Sequence, residues 1–140
     1  MTLQRRDGWE SRLSAVLDGA RNRPYVLGEW DCLRLACAAV EALTGTDLWP
    51  RFAGYHTRRG ALVVIARIAP TLGEAVTATL GVSPTPTFSA WRGDIVLYRD
   101  VAGENHLGVV AGARAVLMLD TGAVHLPLTD AGLLCAWRVG

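Results

Sequence analysis

Cysteine is scarce: three residues in 140, an odd number, with no Cys-x-x-Cys pair and no Cys/His run at ligand spacing. That scarcity excludes a disulfide framework and a structural zinc site, and points to synthesis in a reducing compartment. Long apolar runs are missing as well. Although 51% of the residues are hydrophobic, no stretch reaches the roughly eighteen needed to cross a bilayer, so no stable membrane insertion is expected. The opening Met1-Thr2-Leu3-Gln4-Arg5-Arg6-Asp7 is amphipathic rather than continuously apolar, so no signal peptide is expected. An excess of either charge is also lacking. Lys and Arg total 14 against 13 Asp and Glu, interspersed, for a net +1, which removes the electrostatic ground for nucleic acid or an anionic membrane as partner. Internal repeats and low-complexity segments are absent. What is left is one domain, residues 1–140, long enough to bury a core without staples.

The hydrophobic pattern changes period part-way along. Asp7-Gly8-Trp9-Glu10 reads as a helix start capped by Asp7, and Trp9, Leu13, Val16, Leu17 and Ala20 fall on one helical face. Arg23-Pro24 stops that helix. Cys32 to Leu43 is apolar nearly all round, as a central buried helix should be, and Gly45 ends it. Residues 46–56 read as a surface loop. A short helix follows from Thr57 to about Ile68, and Thr71-Leu72-Gly73-Glu74 resembles a capping box for another ending near Leu80. Ser83-Pro84-Thr85-Pro86-Thr87 breaks the pattern. Beyond it, Ile95–Tyr98, Leu107–Val110, Ala115–Leu119, Val124–Leu128 and Leu133–Val139 read as strands, with Gly103, Gly112, Gly122 and Gly132 in the turns. Helices first and an antiparallel meander second predict an α+β fold, with the helices packed on a five-stranded sheet or small barrel.

Two residues carry candidate chemistry. Cys32 opens the buried helix, where unpaired backbone N–H groups and the helix dipole favour thiolate and can hold a developing oxyanion. Asp31 beside it is placed to cap the helix. His106 begins a strand after the polar turn 100–105, about seventy residues on, and a cysteine nucleophile and its histidine base are normally distant in sequence. Plainer accounts exist for both: a free cysteine as a small buried hydrophobe, and a histidine at a turn edge. Trp30 is either a wall of the cleft or plain packing. Cys37, about 140° round the helix from Cys32, and Cys135, which alternates with Leu133 and Trp137, read as core.

The ordered set Pro24-Tyr25-Val26-Leu27-Gly28, Asp31-Cys32, Gly93-Asp94-Ile95-Val96 and His106-Leu107-Gly108-Val109-Val110-Ala111-Gly112 resembles the NlpC-type cell-wall peptidases. These are papain-like cysteine peptidases with a signature of tyrosine, aspartate-cysteine, glycine-aspartate before a strand, then histidine-x-glycine. The resemblance spans roughly residues 23–125. It implies a papain-like domain with Cys32 as nucleophile, His106 as general base and Tyr25 shaping the oxyanion pocket, without cofactor or metal. The implied substrates are the peptide stems of peptidoglycan, often at the bond after a D-glutamyl residue. Leu33 and Arg34 follow the cysteine where the family has serine and glycine. The family's histidine-orienting residue falls in register on Met118, which cannot accept the required hydrogen bond. Asp120, two residues on and so on the same strand face, is taken as orienter, with His125 on the next strand as the alternative. An unoriented imidazole has no fixed tautomer, and rate suffers.

Trp30-Asp31-Cys32, Thr44-Gly45-Thr46-Asp47, Tyr55, Gly60 and Ala136-Trp137-Arg138 are similar to small single-domain relatives among the tail-tip proteins of tailed phages and phage-like particles. That setting implies a chain made in the bacterial cytoplasm and delivered to the cell wall at the tail tip, with other tail-tip or hub proteins as partners. Two expectations stand together: a tail-tip cysteine peptidase or amidase, and an impaired domain of the same kind kept as an assembly part.

Overall fold

The computed structural model describes residues 2–140. Helix α1 (Trp9–Arg21) buries Leu13, Leu17 and Ala20, the face predicted from the spacing. Its cap differs from expectation. Gly8, at φ 78°, occupies the N-cap position with no side-chain bond; a left-handed residue aims no carboxylate at the first turn, so Asp7 is not the cap. Helix α2 (Cys32–Thr44) is buried on nearly every side and ends at Gly45, φ 77°. Helices α3 (Arg58–Ala66) and α4 (Leu72–Leu80) are each capped by a threonine hydroxyl: Thr57 accepts from the Gly60 N–H at 2.9 Å and Thr71 from the Glu74 N–H at 3.2 Å.

Strands β1 (Ile95–Arg99), β2 (Asn105–Val110), β3 (Arg114–Leu119), β4 (Gly122–Pro127) and β5 (Leu133–Trp137) form one antiparallel sheet in the order β4-β3-β2-β1-β5. It is an open sheet rather than a closed barrel. The outer edge of β5 is covered by Thr85, which exchanges two backbone hydrogen bonds with Ala136 at 2.7 and 2.8 Å. That contact shields an edge that would otherwise recruit other strands.

The sheet has apolar residues on both faces. Ile95, Leu97, Leu107, Val109, Val116, Met118 and Trp137 pack with the helices. Val96, Val110, Ala115, Leu117, Leu133 and Ala136 form a second cluster on the reverse. Leu133 departs from the simple alternation because the β1–β5 register shifts between Leu97, which pairs with Cys135, and Tyr98, which pairs with Leu133. One extra residue in β5 turns Leu133 to the face opposite Trp137.

Candidate active site

The local fold that presents Cys32 is built around Asp31. The stretch before α2 closes on itself through Val26 and Trp30, whose backbones bond at 2.9 and 2.7 Å. Asp31 lies in extended backbone and caps α2 by accepting from the Arg34 N–H at 2.9 Å. Its other oxygen accepts from the Gly28 N–H at 2.9 Å and from the Tyr55 hydroxyl. A carboxylate 3% exposed thus has three donors, which is what makes burial of its charge tolerable.

Tyr55 corrects the view of 46–56 as surface loop. Trp49–Arg51 forms a 3-10 turn, and Tyr55 is 3% exposed, edge-on to Trp49 with ring centroids 6.1 Å apart. The loop docks over the start of α2. Gly28 permits the approach: its φ is 83°, and a Cβ there would come within 2.1 Å of the Tyr55 carbonyl oxygen.

Cys32 opens onto a cleft of about 620 Å³. Tyr25, Leu27 and Asp31 line it beside the thiol, α3 supplies a wall with Arg58, Leu62 and Ile65, and the β1–β2 hairpin supplies Gly103 to His106. Candidates 74 residues apart in sequence therefore share one cavity. Trp30 does not line it; its ring is buried in the core with the Arg23 guanidinium stacked 4.1 Å from its centre.

The thiol is not activated as the helix-start argument expected. Burial pushes it up to about 11 and the Asp31 charge adds to this, outweighing the backbone N–H groups of Leu107, Leu33 and Cys32 that favour thiolate. Desolvation of the anion wins over the partial charges of the helix start. Tyr25 is likewise raised, by burial and by Asp31. Among the described residues no hydrogen bond joins Cys32 Sγ to the imidazole. Leu107 packs with the helices, so the adjacent His106 takes the sheet face of its cross-strand partner Tyr98, ring centroids 6.2 Å apart, and it lines the cleft near the start of β2.

His106 has a carboxylate partner that sequence reasoning missed. Its Nε2 lies 2.9 Å from Asp100 Oδ2. Asp120 is exposed in the β3–β4 turn, His125 is exposed on β4, and Met118 is fully buried on the helix side of the sheet. The signal for Asp100 lay in hairpin register. Asp100 N–H donates to Glu104 C=O at 2.9 Å, so Asp100 stands opposite Glu104 and diagonal to His106 on one face. That register depends on the turn's length and bulges, which composition does not show.

Asp100, Glu104 and His106 bring one ligand atom each within 4.8 Å of one another, an oxygen-rich set suited to a hard divalent cation. The Arg58 guanidinium, paired with Glu104 across the cleft mouth, competes for that role.

The comparisons with known proteins add a family without an assigned activity. No curated protein matches the chain. Residues 4–139 match the family model described as "Domain of unknown function (DUF6950)". The match takes in α1, the cleft and every strand, and the chain belongs to the DUF6950 family.

Proposed function

We propose that this chain is a papain-like, NlpC-type cysteine hydrolase, a peptidase or amidase acting on the peptide stems of bacterial peptidoglycan and carried at the tail tip of a phage or phage-like particle. The observation that carries the reading is that Cys32 and a carboxylate-paired His106 line one cleft, with backbone N–H groups around the sulfur. The peptidoglycan substrate and the tail-tip setting, with hub proteins as neighbours, rest on the sequence resemblance alone.

With its thiol held at about 11 by burial, Cys32 rests protonated. As Sγ attacks the scissile carbonyl carbon, its proton passes to His106 Nδ1, which has no hydrogen-bond partner among the described residues. The tetrahedral oxyanion is held by N–H groups at the start of α2. Collapse breaks the C–N bond, the imidazolium protonates the departing amine, and a thioester remains on Cys32. Water, deprotonated by the same imidazole, then releases the acid and restores the thiol. No cofactor enters this sequence.

The test is release of soluble fragments from purified peptidoglycan, alongside mass-spectrometric labelling of Cys32 by iodoacetamide across pH. Release should fall at least about a hundredfold in both Cys32→Ala and His106→Ala. Labelling should be slow near neutrality and climb toward pH 11. Release by a folded wild type that Cys32→Ala leaves intact sinks the reading. The absence of a thiol–imidazole bond, with Phe88 and Trp91 exposed by 88% and 63%, favours the second reading, an assembly component of the tail tip. Wild-type protein that digests nothing yet binds tail-tip proteins would establish that one.

A further inference from the structure

We propose that Asp100, on the β1–β2 hairpin, is the positioning residue for His106, fixing its proton on Nε2 and leaving Nδ1 as the base that faces the cleft. The inference rests on the hydrolase reading and adds to it a residue from a different part of the fold than the β3 position where an orienter was expected.

Geometry carries it. Asp100 Oδ2 is 2.9 Å from His106 Nε2, and its other oxygen accepts the N–H groups of Ala102 and Glu104, each at 2.9 Å. The hairpin thus holds the carboxylate in place before it meets the imidazole. Gly103, at φ 83°, closes the turn and donates to the Asp100 carbonyl at 3.0 Å. An acceptor-only carboxylate on Nε2 requires the proton to sit there, which is the tautomer a base working through Nδ1 needs.

The other groups around the ring do not compete for that nitrogen. Glu104 is drawn to Arg58 from α3, Arg99 donates to Asn105 at 3.1 Å, and Tyr98 lies beside the ring with centroids 6.2 Å apart. The hydrogen bond from His106 holds Asp100 below the usual carboxylate range against its desolvation, with weaker help from the Ala102 N–H and Arg58. On β3, Met118 is buried in the helix-side core, and among the described residues no hydrogen bond joins His106 to Asp120 or His125.

Asp100→Asn is the informative variant. The amide oxygen keeps the two backbone donors of the turn, which leaves the amide NH₂ facing Nε2. Nε2 must then accept, and the proton moves to Nδ1. Long-range ¹H–¹⁵N correlation on ¹⁵N-histidine protein reads this directly, with exposed His56 and His125 as internal references. The expected result is His106 protonated on Nε2 in the wild type and on Nδ1 in Asp100→Asn, with iodoacetamide labelling of Cys32 at least about tenfold slower in the variant. An unchanged tautomer, or a changed tautomer with unchanged labelling, overturns the proposal. His106→Ala run in parallel separates the two claims. If it slows labelling and peptidoglycan release while Asp100→Asn does not, the positioning role falls and the hydrolase stands. If it slows neither, the hydrolase reading falls and takes the positioning role with it.

Discussion

Asp31 does more for the architecture of the site than the cysteine that follows it. One carboxylate caps α2, anchors Gly28 and holds Tyr55, so helix start, preceding turn and docked loop converge on a single buried charge. Asp31→Ala removes a cap and leaves the Gly28 N–H and the Tyr55 hydroxyl without their acceptor. Caps are worth about 0.5–2 kcal/mol and an unsatisfied buried donor about 1–3. With one cap lost and two donors left without an acceptor, a loss of at least about 2.5 kcal/mol is expected in urea denaturation. Asp31→Asn should lose less, since its amide oxygen still accepts, and should lower the Cys32 pKa because it removes a charge that raises it. The sign for alkaline stability follows from burial of the thiols. Cys32 and Cys37 are raised from 9.0 to about 11 and about 12 in the folded chain. Their protonated forms favour the fold fully below pH 9, and that contribution drains away as pH rises from about 9 to 12. Melting temperature should fall across that window. Asp31 was legible as a cap because capping is local, an acid directly before an apolar helix. Tyr55 was not, because its contact crosses 24 residues through a loop whose path no periodicity records.

At the scale of elements, the β1–β2 hairpin joins the core to the site. Its inner half is packed on both faces, while its outer end carries Glu104 and His106 into the cleft, with Asp100 held against the imidazole. Gly108 keeps the inner half closed. A Cβ there would meet Leu117 Cγ and Val96 Cγ2, both at 3.0 Å, from the strands on either side. Gly108→Val should cost about 1–3 kcal/mol through overpacking between β1 and β3, read by thermal or urea unfolding. Because His106 is two residues away on the same strand, it should also slow Cys32 labelling in the folded variant. The glycine of the histidine-x-glycine motif is thereby explained as packing. The existence and order of four helices and five strands were legible, since helical and alternating periods are properties of short windows. Register was not. The shift in β5 that reverses Leu133 and the hairpin pairing that brings Asp100 to His106 both depend on single-residue offsets, to which composition is blind. The carboxylate that meets His106 is therefore Asp100 and not the expected Asp120, while Cys32 and His106 line one cleft.

Across the whole molecule, Asp94 ties the segment before α1 to the paired ends of β1 and β5. It is 2% exposed and accepts from the Arg5 guanidinium at 3.2 Å, the Val139 N–H at 3.1 Å and the Trp91 N–H at 2.8 Å, with Arg138 Nε at 3.5 Å. Arg5 also donates to the carbonyls of Val139 and Arg92 at 2.8 and 2.7 Å. The segment before α1, the entry to β1 and the residues after β5 are thus held by one acid and two arginines. Gly93 beside it, at φ 93°, lies where a Cβ would come within 3.0 Å of Leu43 from α2. This accounts for the glycine-aspartate pair in terms of assembly and keeps it away from the cleft, whose lining does not include it. Asp94→Ala leaves a part-buried Arg5, its side chain 14% exposed, without its carboxylate, and breaking a buried pair from one side costs up to about 3–5 kcal/mol. Since domains of this size hold only about 5–15 kcal/mol in all, the variant should unfold at much lower urea. Replacing Arg5 with Met as well should recover part of the loss by removing the orphaned charge. Labelling of Cys32 in the folded fraction should match the wild type, which separates this knot from the chemistry. A slowed reaction in folded Asp94→Ala would instead mean that the ends of the chain govern the cleft at a distance.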